Sequence, residues 1–181
     1  LAVSAIGEDS NATGINGDQT NNASSNSGAV YVFYRSGIVW TQQAYIKASN
    51  TDDQDIFGIS IVLSGDGNTL AVGATNEASS AIGINGNETD NSSPGSGAVY
   101  VFTRIVNTWS QQAYIKSSNA ETDDFFSRFL ALTFTGNTLA IGAAEEDSND
   151  KGINRNQSNN VATSSGAVCL FERVVATWFQ Q

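Results

Sequence analysis

The 181-residue chain is 40% hydrophobic and 14% charged, a globular composition with ample material for a core. Its 18 acidic residues against 8 basic ones, with no histidine, give a formal charge of -10, which repels phosphate backbones and anionic headgroups and makes nucleic acid and membrane surfaces poor partners. No run approaches the roughly 18 to 20 apolar residues of a membrane span, and Leu1-Ala2-Val3-Ser4 lacks the basic region of a signal peptide.

In chain order, the apolar opening Leu1-Ala2-Val3 gives way to a long polar loop, residues 6–27. This loop contains Glu8-Asp9-Ser10-Asn11 and then Gly14-Ile15-Asn16-Gly17-Asp18. Gly28-Ala29-Val30-Tyr31-Val32-Phe33 has strand chemistry, as does the stretch from Trp40 to Ala44-Tyr45-Ile46-Lys47. An acidic connection, Ser49-Asn50-Thr51-Asp52-Asp53-Gln54-Asp55, leads to an apolar run over residues 57–63. That run is closed by the turn Ser64-Gly65-Asp66-Gly67-Asn68, whose glycines and asparagine accept positive φ. Thr69-Leu70-Ala71-Val72-Gly73-Ala74 reads as the next strand. A second long loop, residues 75–96, precedes strands predicted over 97–104 and 109–116, joined through Val106-Asn107-Thr108.

The order then repeats. The Gly-Ala-Val strand starts at positions 28, 97 and 166, a spacing of 69 residues; Trp40, Trp109 and Trp178 keep it, as do Phe57 and Phe126. One period therefore holds four short strands and no sustained helical pattern, which predicts an all-β chain built as a β-propeller of four-stranded antiparallel blades. Both faces of the Gly97 strand are apolar, Ala98, Tyr100 and Phe102 on one side and Val99 and Val101 on the other, as a blade covered by neighbours requires. A flat solenoid or a β-sandwich is the competing architecture. The expected division is a partial blade over 1–56, a complete blade over 57–125 and a partial blade over 126–181. At about 2.6 repeats, against the roughly four to eight blades of propellers, the ring is expected to be completed by a longer chain or by several copies.

Phe57-Gly58 at the start of one strand and Val72-Gly73-Ala74 in the next resemble the Phe-Gly and Gly-Ala-Pro signatures of FG-GAP repeats, as found in the head of integrin α-subunits. The likeness spans the whole chain and is closest to bacterial repeats with a long Ser/Asn/Gly-rich insertion. Departures are Thr75 and Ala144 where the proline would stand, Ser4 for one glycine, and Phe126-Ser127 for Phe-Gly. The resemblance implies a ring of about seven blades and an extracellular or cell-surface adhesion role. It also implies that the long loops and the blade-to-blade connections share the ligand-binding face.

The family's calcium loop, set in the turn between the first two strands, is not carried over. Residues 64–68 offer one carboxylate and residues 133–137 none, against the six to eight oxygens Ca²⁺ takes. Calcium is instead a candidate in the first and third long loops, with Glu8, Asp9, Asn11, Asn16 and Asp18 in one, and Glu146, Asp147, Asn149 and Asn154 in the other. The middle loop has Ala78 and Asn87 in place of Asp9 and Asp18 and would be poorer. The alternative is that Ile15, Ile84 and Ile153 pin the loops while the polar groups cap turns. Five glycosylation sequons, at Asn11, Asn22, Asn87, Asn91 and Asn156, lie in these loops.

With no histidine, one cysteine in a core-strand position and the acids confined to loops expected to be flexible, no nucleophile–base pair is evident. The chain reads as a non-catalytic adhesion or scaffold module that takes an extracellular protein or glycan, with self-association into a filament or matrix as the alternative. A carboxylate-dependent glycosidase is a third reading. The recurring Tyr and Trp read as inter-blade packing, and Lys47 and Lys116 as edge charges that block unwanted strand pairing.

Overall fold

The computed structural model describes residues 1–181 and contains eleven strands and no helix. A first sheet holds β1 (Ala2–Ala5), β2 (Ala29–Ser36) and β3 (Val39–Ile46) in that order. The second holds β4 (Ser60–Leu63), β5 (Thr69–Ala74), β6 (Ala98–Ile105) and β7 (Thr108–Ile115). The third holds β8 (Phe126–Leu132), β9 (Thr138–Ala143), β10 (Ala167–Val174) and the short β11 (Thr177–Gln180). Every pairing is antiparallel between sequence neighbours, so each sheet is a meander.

The sheets stack face on face, and the two cores lie between them. Val30, Val32 and Ile46 of the first sheet meet Leu70, Val72, Tyr100 and Phe102 of the second. Val99, Val101 and Ile115, from the opposite face of the second, meet Leu139, Ile141, Phe171 and Trp178 of the third. The two-faced apolar pattern of β6 is thus used on both sides, and every residue from Ala98 to Phe102 is fully buried.

The predicted first strand of the middle unit is shorter than expected, because residues 56 to 58 turn before pairing starts. Ile56 has φ 56° and Gly58 φ 95°, and regular pairing runs only from Ser60 to Leu63. The glycine of the Phe-Gly signature therefore answers to a left-handed backbone. Gly97 is constrained from two directions, with φ 77° and an imagined Cβ only 2.1 Å from the carbonyl oxygen of Phe126. This is where a β6 end is wedged against the opening of the next sheet.

Candidate functional site

The long loops are folded extensions of the sheets and not loose arms. In the first, Gly14 N donates to Ala48 O (3.1 Å), Lys47 N to Gly14 O (2.8 Å) and Asn16 N to Tyr45 O (2.7 Å), with Ile15 bridged to Ile46. Asn16 sits at φ 58°, and its Oδ1 accepts from Tyr45 N at 3.0 Å. The second loop repeats this through Gly83, Ile84 and Asn85 on β7. The loop thus adds one more short pairing at the outer edge of the last strand, with isoleucine as the pin.

Beneath the first and the second loop lies a buried ion pair. Lys47 Nζ donates to Glu8 Oε2 (2.9 Å) and Ser27 Oγ (2.7 Å), and Lys116 Nζ to Glu77 Oε2 (2.8 Å) and Ser96 Oγ (2.7 Å). Lys47 and Lys116 are 1% and 0% exposed, so they are not the edge charges the sequence suggested. Burial pushes both ammonium groups below their usual range, and the facing glutamates oppose this. In the middle repeat Glu77 also accepts through Oε1 from Asn50 Nδ2 (3.1 Å), and Asn50 Oδ1 takes the Tyr100 hydroxyl (2.5 Å). Asn50 belongs to the connection from the first sheet, so the cluster ties two sheets together.

Asp55 closes the same joint. It is 4% exposed, accepts from Asp52 N (3.1 Å), and has its carboxyl pushed up to about 7 by burial first and by Glu77 second. Asp124, its counterpart in the next joint, is pushed up to about 6, again mainly by burial.

On the far side of the sheets a second recurring clasp forms. β3 and β7 each carry a bulge that leaves Gln43 and Gln112 opposite no residue and turns them toward the next sheet. Gln43 Oε1 accepts from Arg104 Nη1 and Trp109 Nε1, both at 3.0 Å. Gln112 Oε1 does the same for Arg173 (3.1 Å) and Trp178 (3.0 Å). Each guanidinium lies over its tryptophan ring at about 5.5 Å, which accounts for the periodic Trp as packing.

The predicted metal ligands are dispersed by these duties. Glu8 serves Lys47 and Ser10 N. Asp9 Oδ1 accepts from Asn26 N (2.7 Å) and Asp147 Oδ1 from Ser164 N (2.7 Å). Asp18 Oδ1 takes the amide and hydroxyl of Thr20, bonds that hold its carboxyl below the usual range. Asn11 and Asn149 donate their backbone amides to Asn21 and Asn159 across the loop (2.9 and 3.1 Å). Asn154 is exposed at φ 53°. Glu146 is buried and accepts from Asn119 Nδ2 and Ser148 N, both at 3.1 Å. No three acidic or thiol groups converge as ligands of one metal would.

What the loops do surround is a cleft between the first and second sheets' loop ends. It has a volume of about 500 Å³ and is lined by Asp52, Asp53, Gln54, Asp55, Asn76 and Asp123 among others. Asp52, Asp53, Gln54 and Asp123 are exposed. Asp53 is held by the Ser24 hydroxyl (2.8 Å) and Asp52 by Asn91 Nδ2 (2.7 Å). All five sequon asparagines are exposed on the same loops. Cys169 is buried, and burial raises its thiol.

Sequence reasoning missed the lysine–glutamate pairs and the glutamine clasp. Their 69-residue spacing is visible in the sequence, but spacing does not reveal which side chains meet.

No curated protein matches the chain significantly. Residues 40–102 match the family model described as FG-GAP repeat, a segment that runs from β3 through the Phe57-Gly58 turn into β6.

Proposed function

We propose that the chain is a non-catalytic adhesion or scaffold module of an extracellular β-propeller, which binds a basic protein segment or a glycan on its loop face. FG-GAP repeats occur in adhesion and integrin-like propellers. The observation that carries the reading is the acidic, amide-rich cleft at the loop ends of the first two sheets, where Asp52, Asp53 and Asp123 stand exposed on a frame fixed by hydrogen bonds. A rigid frame presenting carboxylates and amides suits recognition, since little ordering cost remains to be met on binding.

The test is a binding screen against glycans and basic extracellular proteins, followed by the triple variant D52N/D53N/D123N. The variant is expected to weaken a hit at least tenfold and to flatten its salt dependence. Unchanged affinity would remove the cleft from the reading.

Self-association is the second reading, favoured by two complementary open faces. On the third sheet Phe129, Val168 and Leu170 are exposed; Val168 and Leu170 are the repeat equivalents of Val99 and Val101, which pack the second sheet against the third. Leu1, Val3 and Trp40 are exposed on the first sheet, and they correspond to Leu70, Val72 and Trp109, which meet the first sheet from the second. Sedimentation that depends on concentration would support head-to-tail stacking.

A further inference from the structure

The joint between the first and second sheets brings an amine, a carboxamide, a carboxylate and a phenol into one hydrogen-bonded chain. Glu77 uses both oxygens of its carboxylate: Oε2 accepts from Lys116 Nζ at 2.8 Å and Oε1 from Asn50 Nδ2 at 3.1 Å. Asn50 Oδ1 in turn accepts from the Tyr100 hydroxyl at 2.5 Å. Amine and carboxamide are therefore held one carboxylate apart, with a donor already on the amide carbonyl. Asn50 Nδ2 is also fixed by Glu88 O (2.7 Å) and Lys116 Nζ by Ser96 Oγ (2.7 Å), so neither side chain is free to turn away. Lys116, Glu77 and Tyr100 are fully buried and Asn50 is half-buried. The Tyr100 ring packs against Phe57 and Tyr114, with centroids 5.3 Å away in each case.

Each group suits the exchange of one amide for another. An amine is nucleophilic only when neutral, and burial pushes the Lys116 ammonium below its usual range, with Glu77 and then Asp124 and Asp55 opposing. Burial raises the Tyr100 phenol, which keeps it protonated as a donor. A carboxylate in contact with both nitrogens can take a proton from one and return it to the other. A site closed to bulk water protects the amide from hydrolysis.

We propose that Lys116 and Asn50 join in an intramolecular isopeptide bond that the chain forms by itself. Glu77 takes a proton from the Lys116 ammonium, and the neutral Nζ attacks Asn50 Cγ. The Tyr100 hydroxyl stabilises the negative charge that develops on Oδ1. A second proton passes from Nζ through Glu77 to Nδ2, the Cγ–Nδ2 bond breaks, and the carbonyl reforms. Nitrogen leaves as ammonia, which carries away the first proton as ammonium and returns Glu77 to its carboxylate. No oxidant, reductant or co-reactant is consumed. The bond ties the connection between the first two sheets to the end of β7, and it uses none of the residues that line the acidic cleft of the functional reading.

The experiment reads the intact mass of the purified 181-residue chain after incubation in its native state. The expected mass lies below that of the sequence by about 17 Da, one ammonia. Asn16-Gly17 and Asn85-Gly86 could lose ammonia by closing to succinimides, so the sample is then unfolded and held at alkaline pH, which opens a succinimide and leaves an isopeptide intact. Tryptic mapping is expected to give one branched peptide joining Asn50 to Lys116, with no cleavage after Lys116. Asn50→Ala, Lys116→Arg and Glu77→Gln are each expected to abolish the deficit. Tyr100→Phe is expected to form the same product at least tenfold more slowly when the chain is sampled during cell-free synthesis. A parent mass equal to that of the sequence would overturn the proposal whether or not the variants fold, as would a deficit that alkali removes or that persists in Asn50→Ala.

Discussion

At the scale of single residues, the chain places charges in its interior and matches them. A buried ion pair is worth little over a well-packed apolar pair, but an unpaired buried charge is strongly destabilising, so Lys116 and Glu77 act as a specificity device for the joint. Asp55 is the group left least compensated. Its carboxyl is pushed up to about 7, by burial and then by Glu77 and Asp52, with Lys116 opposing. Well below pH 3.8, its value in the unfolded chain, the carboxyl is neutral in both folded and unfolded chains and has no effect on stability. As pH rises toward 7 the unfolded chain ionises first, so folding is penalised, by on the order of 4 kcal/mol above pH 7. Asp55→Asn is therefore expected to match the parent near pH 2.5 and to exceed it in urea midpoint at pH 7.5. Parallel midpoint curves across that range would show that the joint leaves Asp55 as acidic as in water.

At the scale of elements, the first strands of the second and third sheets depend on a left-handed residue after their phenylalanine. Gly58 fills this position in the middle sheet at φ 95°. In the third sheet Ser127 holds it at φ 89°, inside the irregular stretch between Phe126 and Phe129 of β8, with its hydroxyl buried and without a hydrogen-bond partner. Both the backbone and the side chain are costly there. Ser127→Gly, which restores the Phe-Gly signature, is expected to stabilise the chain by about 1–2 kcal/mol in chemical denaturation. A loss of stability would mean that the hydroxyl has a role in the β8 opening that the geometry does not show. The bulges of β3 and β7 illustrate the same economy, since one extra residue in each strand turns a glutamine outward to take an arginine and a tryptophan from the next sheet.

At the scale of the whole molecule, stability is distributed as in a stacked array, each sheet relying on its neighbours. The middle sheet is covered on both faces, with β5 fully within the buried class and β6 buried from Ala98 to Phe102. The first and third sheets are covered on one, leaving Val3, Val168 and Leu170 exposed. Amide exchange is expected to follow this order, with Leu70 to Ala74 and Val99 to Phe102 at least about tenfold slower than β1 or β11. Uniform protection across the three sheets in dilute solution would mean that the outer faces are covered by association, and would favour the stacking reading. The folded loops bear on the same scale, because the second and third loops hold the connection from the sheet before and so couple neighbouring sheets at the loop face.

Much of this was legible in the residues themselves. A 69-residue period with four β-rich stretches, punctuated by glycine and asparagine, leaves an antiparallel meander repeated along the chain, and the alternation in β6 forces a sheet apolar on both faces. The boundary of β4 was not legible, because a positive φ at Ile56 is set by the wedge of Gly97-type glycines from the neighbouring sheet and not by local preference. Nor was the fate of the polar residues. Lysine four places from a strand's middle reads as an edge charge until a glutamate 39 residues away is seen to fold over it, and the acidic loops do not reveal which of their carboxylates reach beyond the loop, as Glu8 does to Lys47 and Glu146 to Asn119. Local chemistry determined the strands and turns; the pairing of buried charges, the clasp and the cleft were decided by tertiary structure, since desolvation and hydrogen-bond geometry act only once distant segments meet.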